Sequence, residues 1–90
     1  MSVDERTYET LVLGTRLFID LWSVKGFVPV NCEHPEDVRT VWSRLVEDRV
    51  AFILVEEGWF ERLPHPVKQR IHHMGRPVWV PFPDMKLRED

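Results

Sequence analysis

The chain has 90 residues, of which 43% are hydrophobic and 30% are charged, and its net charge is −3 at neutral pH. This length suits one small soluble domain, and the acidic balance gives no support for nucleic-acid binding. The single cysteine excludes an intramolecular disulfide and a multi-cysteine metal site. Because the sequence has no apolar run long enough to cross a membrane, we expect a cytoplasmic protein with no direct membrane insertion.

Residues 11–30 carry the pattern of one short β-α-β unit. The apolar run at residues 11–13 predicts a strand, Gly14 a turn, and Gly26 the end of a helix. Helical spacing predicts that this helix turns five apolar side chains toward the core, namely Leu17, Phe18, Leu21, Trp22 and Val24. The next strand, at residues 27–30, contains Pro29, which cannot donate a ladder hydrogen bond and therefore predicts a sheet edge.

Two further helices and two further strands are predicted in the rest of the chain. Pro35 suits the first turn of a helix, and the helical stripe that follows it comprises Val38, Val41, Trp42, Leu45 and Val46. The apolar run at residues 50–55 predicts a central strand that is covered on both faces. A helix over residues 66–74 and a strand at residues 78–80 follow, and the prolines beside that strand predict a second edge.

The order of these elements predicts an α/β fold with right-handed crossovers. Edge positions for the second and fourth strands give a small open parallel four-stranded sheet of order 2-1-3-4, with helices on both faces, in the flavodoxin-like or receiver-like topology. The domain is expected over residues 10–83, between a polar N-terminal lead at residues 1–9 and a polar C-terminal tail at residues 84–90.

Ligands of open parallel sheets bind where the strand order reverses, and two loops are expected to meet there. The first, Gly14-Thr15-Arg16, could hold a phosphate at a helix N-terminus but lacks the further glycines of a nucleotide-binding loop. The second begins with Glu56 and Glu57, where receiver domains need an aspartate. We therefore predict a tight turn and a solvated acidic loop at this point.

The sequence shows no set of residues typical of catalysis or metal binding. The histidines have no metal-ligand spacing and are expected at the surface; they are His34, His65, His72 and His73. Cys32 has no clear base near it in sequence and is predicted to be a small buried side chain. We expect no enzymatic activity, no cofactor and no bound metal.

Four tryptophans are many for a core of this size. Trp22 and Trp42 lie on apolar helix stripes and are predicted to be in the core. Five further side chains are predicted to contact a protein partner, namely Trp59, Phe60, Trp79, Phe82 and Arg16. For the four aromatic ones, local packing is the alternative. Exposed aromatics would also suit a homo-oligomer.

Six segments between residues 10 and 83 follow one another in a characteristic order. They are Val12-Leu13-Gly14, Gly26, Phe27-Val28-Pro29-Val30, Pro35-Glu36-Asp37-Val38, Ala51-Phe52-Ile53-Leu54-Val55-Glu56-Glu57 and Pro77-Val78-Trp79-Val80-Pro81. This series of glycine-ended strand, short helix, proline-containing strand, acidic helix start, apolar strand and proline-flanked strand resembles the F subunit of the V-type and archaeal-type rotary ATPases.

The resemblance implies a non-catalytic subunit of the central stalk that docks on the coiled-coil rotor shaft. Such a subunit supports the coupling of ATP hydrolysis or synthesis to ion transport, for example proton transport. Its partners are other subunits of the ATPase, through which it lies peripheral to a membrane. Two features depart from the family, since Thr15 stands where an acidic residue is common and the tail lacks the helical pattern of the family's C-terminal tail.

Two other hypotheses remain open from the sequence. One is a stand-alone protein–protein adaptor or regulatory module on the same fold, which could self-associate. The other is an enzyme or nucleotide binder, which tight binding of a phosphorylated ligand near Gly14 would favour.

Overall fold

The structure, a computed structural model, describes residues 8–84. Four strands lie in this range: β1 (Glu9–Leu13), β2 (Val28–Pro29), β3 (Val50–Glu56) and β4 (Val78–Phe82). They form one parallel sheet of order β2-β1-β3-β4, which confirms the predicted sheet and its strand order. The expected polar lead and tail fall largely on residues 1–7 and 85–90, which lie outside the described residues.

Four α-helices and one 3₁₀ helix join these strands within residues 8–84. They are α1 (Arg16–Ser23), the 3₁₀ helix (Pro35–Thr40), α2 (Trp42–Leu45), α3 (Glu57–Glu61) and α4 (His65–His73). None of them has the length and apolar character that a membrane crossing requires. Helix α1 packs against one face of the sheet, and the other helices pack on the opposite face.

The core consists of two clusters, one on each face of the sheet. Because successive strand residues point to opposite faces, Leu11 and Leu13 belong to one cluster and Val12 to the other. The larger cluster also receives Val38, Leu45, Trp59 and Val67 from the helices. Among residues 8–84, the buried members of the smaller cluster are Val12, Phe18, Ile19 and Leu54, so this face of the sheet has less cover than the other.

The prediction of one regular α-helix from Pro35 onward is wrong, although the apolar stripe of this segment faces the core. The segment folds as the 3₁₀ helix, a break, and the four-residue helix α2. Asp37 has non-helical backbone angles, and the hydroxyl of Thr40 donates a hydrogen bond to the Asp37 carbonyl oxygen at 2.8 Å. Side-chain bonds of this kind compete with the regular helix ladder, and the β-branched residues here favour it weakly.

The inward face predicted for α1 is also wrong in part. Phe18 and Ile19 are buried, whereas Leu17 and Leu21 are exposed and Val24, beyond the helix end, is 85% exposed. The apolar side chains cover more than half of the circumference of the helix, so spacing alone does not say which of them face the sheet.

An ion-pair cluster joins the start of β1 to α2. The Arg44 guanidinium donates to the Glu9 carboxylate at 2.9 Å and to Glu47 at 2.8 Å, and Arg49 lies 3.6 Å from Glu9. The hydrogen bond from Arg44 holds the pKa of Glu9 below its ordinary value, and the positive charges of Arg44 and Arg49 act in the same direction.

This lowered pKa predicts a specific acid sensitivity. A carboxylate whose pKa is lowered by folding stabilises the folded state at pH values above its ordinary pKa near 4.5. This stabilisation is lost as the pH falls through the pKa of the folded state. The thermal unfolding midpoint of Glu9→Gln should therefore lie below that of the natural chain by the largest margin near neutral pH. In acid the two midpoints should converge. The exposed Glu61→Gln is the control, and a stability difference for Glu9→Gln that stays constant with pH would refute the assignment.

Candidate functional site

The carboxyl ends of β1 and β3 meet at the point where the strand order reverses. The backbone N–H of Thr15, at the start of α1, donates to Glu56 Oε1 at 2.7 Å, and Glu56 is only 3% exposed. The prediction of a solvated acidic loop is therefore wrong for Glu56, although Glu57 is exposed. A carboxylate of the protein itself occupies the helix N-terminus that a phosphate would need.

Gly14 is required by this close approach. A Cβ at this position would lie 2.8 Å from Glu56 Cβ and 2.9 Å from Phe18 Cδ2, and the Gly14 φ of +153° is one that other residues rarely adopt. The predicted tight turn is confirmed, and it leaves no room for a ligand between the turn and Glu56.

A second carboxylate closes the neighbouring loop. Asp84, just after β4, accepts a hydrogen bond from the Gly58 backbone N–H in the first turn of α3, with a distance of 2.7 Å. A Cβ at Gly58 would lie 2.6 Å from Asp84 Oδ2, so glycine is again the residue that allows the contact. Two loops at the carboxyl edge of the sheet are thus held by carboxylates of the chain itself.

Trp59 is part of the core, and the prediction that its side chain is exposed is wrong. It is 1% exposed, and its indole N–H donates to the carbonyl oxygens of Cys32 at 2.9 Å and of Glu33 at 3.1 Å. Helix α3 follows β3 directly, and Trp59 belongs to the same core cluster as Leu63 and Val67. Trp59 therefore holds the loop after β2 against the helices.

Cys32 and the histidines lie where the sequence predicted them. Cys32 is buried, and burial, with a smaller effect from Asp37 and Glu36, raises the pKa of its thiol. A raised pKa keeps the thiol protonated at neutral pH, which makes it a poor nucleophile. The four histidines are exposed. No three potential metal ligands cluster in residues 8–84.

The other residues predicted to contact a partner are divided between the two faces. Phe60 and Trp79 are half-buried against the larger cluster, with ring centroids 5.8 Å apart. Phe82 lies on the opposite face with its ring 5.2 Å from Trp22, and Arg16 is exposed on α1. These side chains do not form one continuous surface.

An apolar surface that the sequence did not predict lies on the α1 side of β3 and β4. In the parallel register, Phe52 lies beside Val78 and Leu54 beside Val80, and Phe52, Val78 and Val80 are 47%, 45% and 39% exposed. We call Thr10, Phe52, Val78 and Val80 the bare face; Leu54, beside Val80, is buried. Its groove of about 230 Å³ is lined by most of these residues and by Phe27.

The bare face exists because α1 packs mainly against β1 and β2. Ile19 lines the cleft beside Pro29 of β2, so Leu17 and Leu21, on the other flank of the helix, border the side of β3 and β4. Both leucines are exposed. The groove therefore has an apolar floor in the sheet, and Phe27, which precedes β2, lines it beside that floor.

The strand predicted at residues 50–55 is central in the sheet, as expected. The prediction that this strand is covered on both faces is wrong at Phe52, which is exposed. A continuous apolar run does not distinguish a covered strand from one that a partner covers. The alternation of Val78, Val80 and Phe82 on one side of β4 was the available signal for the missed surface.

The filled turn predicts a large penalty for a side chain at Gly14. Gly14→Ala should lower the free energy of unfolding by about 2–5 kcal/mol, because it combines an unfavourable φ with overpacking against Glu56 and Phe18. Gly75→Ala is the matched control, since a Cβ there meets no atom within 4 Å. Chemical denaturation measures both, and equal small effects would show that the turn has spare room.

A scan against protein-family models, a search of curated proteins and a search of solved structures return no match to this chain. The resemblance to the F subunit of the rotary ATPases therefore depends on the glycine spacing and the strand pattern alone.

Proposed function

We propose that this protein is a non-catalytic binding subunit that docks on a helical partner through the bare face. The partner that the sequence resemblance favours is the coiled-coil shaft of a V-type or archaeal-type rotary ATPase. In that setting the protein is a central-stalk component similar to the F subunit and supports the coupling of ATP turnover to ion transport. The observation that carries the proposal is the exposed apolar floor over β3 and β4.

The composition of the bare face favours protein docking. Phe52, Val78 and Val80 are large apolar side chains that adjoin one another across two strands. A contiguous apolar patch on a small domain is typical of a protein interface, whereas single exposed apolar residues are ordinary. Their burial by a partner would remove apolar surface from water, which is the main favourable term in association.

The shape of the surface favours a helix as the occupant. Neighbouring strands lie about 4.8 Å apart, so the two uncovered strands present a strip about 10 Å wide. An α-helix with its side chains has a diameter of about 10–12 Å. A helix on this strip would lie beside α1 and contact Leu17 and Leu21, as a second helix does on one face of an ordinary α/β sheet.

The filled switch point favours a non-catalytic role. Ligands of this fold class bind at the carboxyl edge where the strand order reverses. Here Glu56 and Gly14 occupy that position, and the Asp84 carboxylate holds the adjacent loop. The bare face, in contrast, is lined mainly by apolar side chains.

Self-association is the second hypothesis, and the same surface motivates it. Two copies could cover their bare faces against each other, as expected of a stand-alone adaptor. The two hypotheses differ in the partner, so oligomeric state and shaft binding separate them.

The proposal predicts that a charge on the bare face abolishes docking. Phe52→Glu should weaken binding to the purified coiled-coil shaft protein of the same cell by at least about tenfold, because it places a carboxylate in the centre of the apolar contact. Isothermal titration calorimetry measures the affinity, and circular dichroism checks that the variant remains folded.

Gln69→Glu is the matched control, since it adds the same residue and charge on exposed α4, on the opposite face. Equal affinities for Phe52→Glu and the natural chain would contradict the proposal. A chain that ignores the shaft but forms a dimer that Phe52→Glu dissociates, measured by sedimentation equilibrium, would establish the second hypothesis in its place.

A further inference from the structure

A cleft of about 320 Å³ lies on the face of the protein opposite to the bare face. It is formed between α4 and the segment of the 3₁₀ helix and α2, and it is lined by Arg39, Trp42, Pro66, Val67 and Arg70. Its floor is apolar, since Val67 is buried in the larger core cluster and Trp42 packs against that cluster. Its rim carries two exposed arginines.

One of these arginines is held in place by the tryptophan. The Arg70 guanidinium carbon lies 5.8 Å from the centroid of the Trp42 ring, within the range of a cation–π contact. Stacking uses the flat face of the guanidinium and leaves its N–H edge available to an acceptor. Arg70 is therefore positioned for a second contact at its edge.

Neither arginine has an acidic partner among residues 8–84. The ion pairs in this part of the chain involve Arg44 and Arg49, and none involves Arg39 or Arg70. In a chain of net charge −3, two guanidinium groups without an acidic partner on the rim of one cleft form a local positive site. Charge complementarity therefore calls for an anionic occupant.

We propose that the cleft lined by Arg39, Trp42 and Arg70 binds an acidic–apolar segment of a protein partner. A carboxylate of that segment accepts hydrogen bonds from the two guanidinium groups, and an adjacent apolar side chain packs on Trp42 and Val67. This contact is separate from the docking of a helix on the bare face, and it would hold whether or not that partner is a rotor shaft.

The dimensions and charge of the cleft select this class of occupant. Sites for small-molecule ligands usually measure about 300–1,000 Å³, and this open cleft is at the lower limit, with room for one or two side chains. Arginine forks match carboxylates in geometry and bind them with two parallel hydrogen bonds. The net negative charge of the chain disfavours a nucleic acid as the anion.

The test uses the full chain and a fluorescein-labelled peptide of sequence Glu-Leu-Glu-Phe-Glu, with Gln-Leu-Gln-Phe-Gln as the uncharged comparison. Fluorescence anisotropy at low salt should show saturable binding of the acidic peptide, at least tenfold tighter than that of its uncharged counterpart. Arg39→Gln and Arg70→Gln should each weaken binding of the acidic peptide about tenfold, because a charged hydrogen-bond donor is lost. Arg62→Gln is the control, since Arg62 is exposed and does not line the cleft.

Three results would overturn the proposal: no saturable binding of the acidic peptide at millimolar protein, equal binding of both peptides, or an equal loss with Arg62→Gln. If Arg70→Gln fails to fold by circular dichroism, Arg39→Gln decides the question alone. Phe52→Glu should leave peptide binding within about twofold of the natural value, which separates this site from the bare face.

Discussion

Helix α1 is eight residues long and packs mainly against β1 and β2, so Phe52, Val78 and Val80 on the same sheet face stay partly exposed. The topology imposes this constraint. Right-handed crossovers place the β1–β2 connection on one face and the two later connections on the other. The remaining helices therefore lie together on one side, and the phenylalanine and valine side chains of β3 and β4 meet solvent on the α1 side.

Carboxylates of the chain itself hold two loops at the carboxyl edge of the sheet. Glu56 binds the start of α1 beside Gly14, which has no space for a side chain, and Asp84 binds the start of α3 at Gly58. These contacts satisfy helix N–H groups that would otherwise attract an anion. The protein therefore has an internally filled edge and an open apolar face, which is an arrangement suited to binding a partner.

The sheet could be predicted from the sequence because residues within or next to each strand determine where it begins, where it ends and where it lies in the sheet. Gly14 and Gly26 ended elements, and Pro29 excluded a central position for β2, which led to the observed strand order. Burial was harder to predict, because it depends on which helix lies over which strand. Trp59 follows a strand and two glutamates, and no local pattern of the sequence marks it as a core residue.

The bare face was missed for the same reason, since an apolar strand has one pattern whether the protein or a partner covers it. Docking through this face can be tested by an amide chemical-shift titration of the full chain with the coiled-coil shaft protein. We expect the largest shifts on Thr10, Leu21, Phe52, Val78 and Val80, together on one face. Shifts confined to the opposite face, or no shifts at saturating shaft, would contradict docking on the bare face.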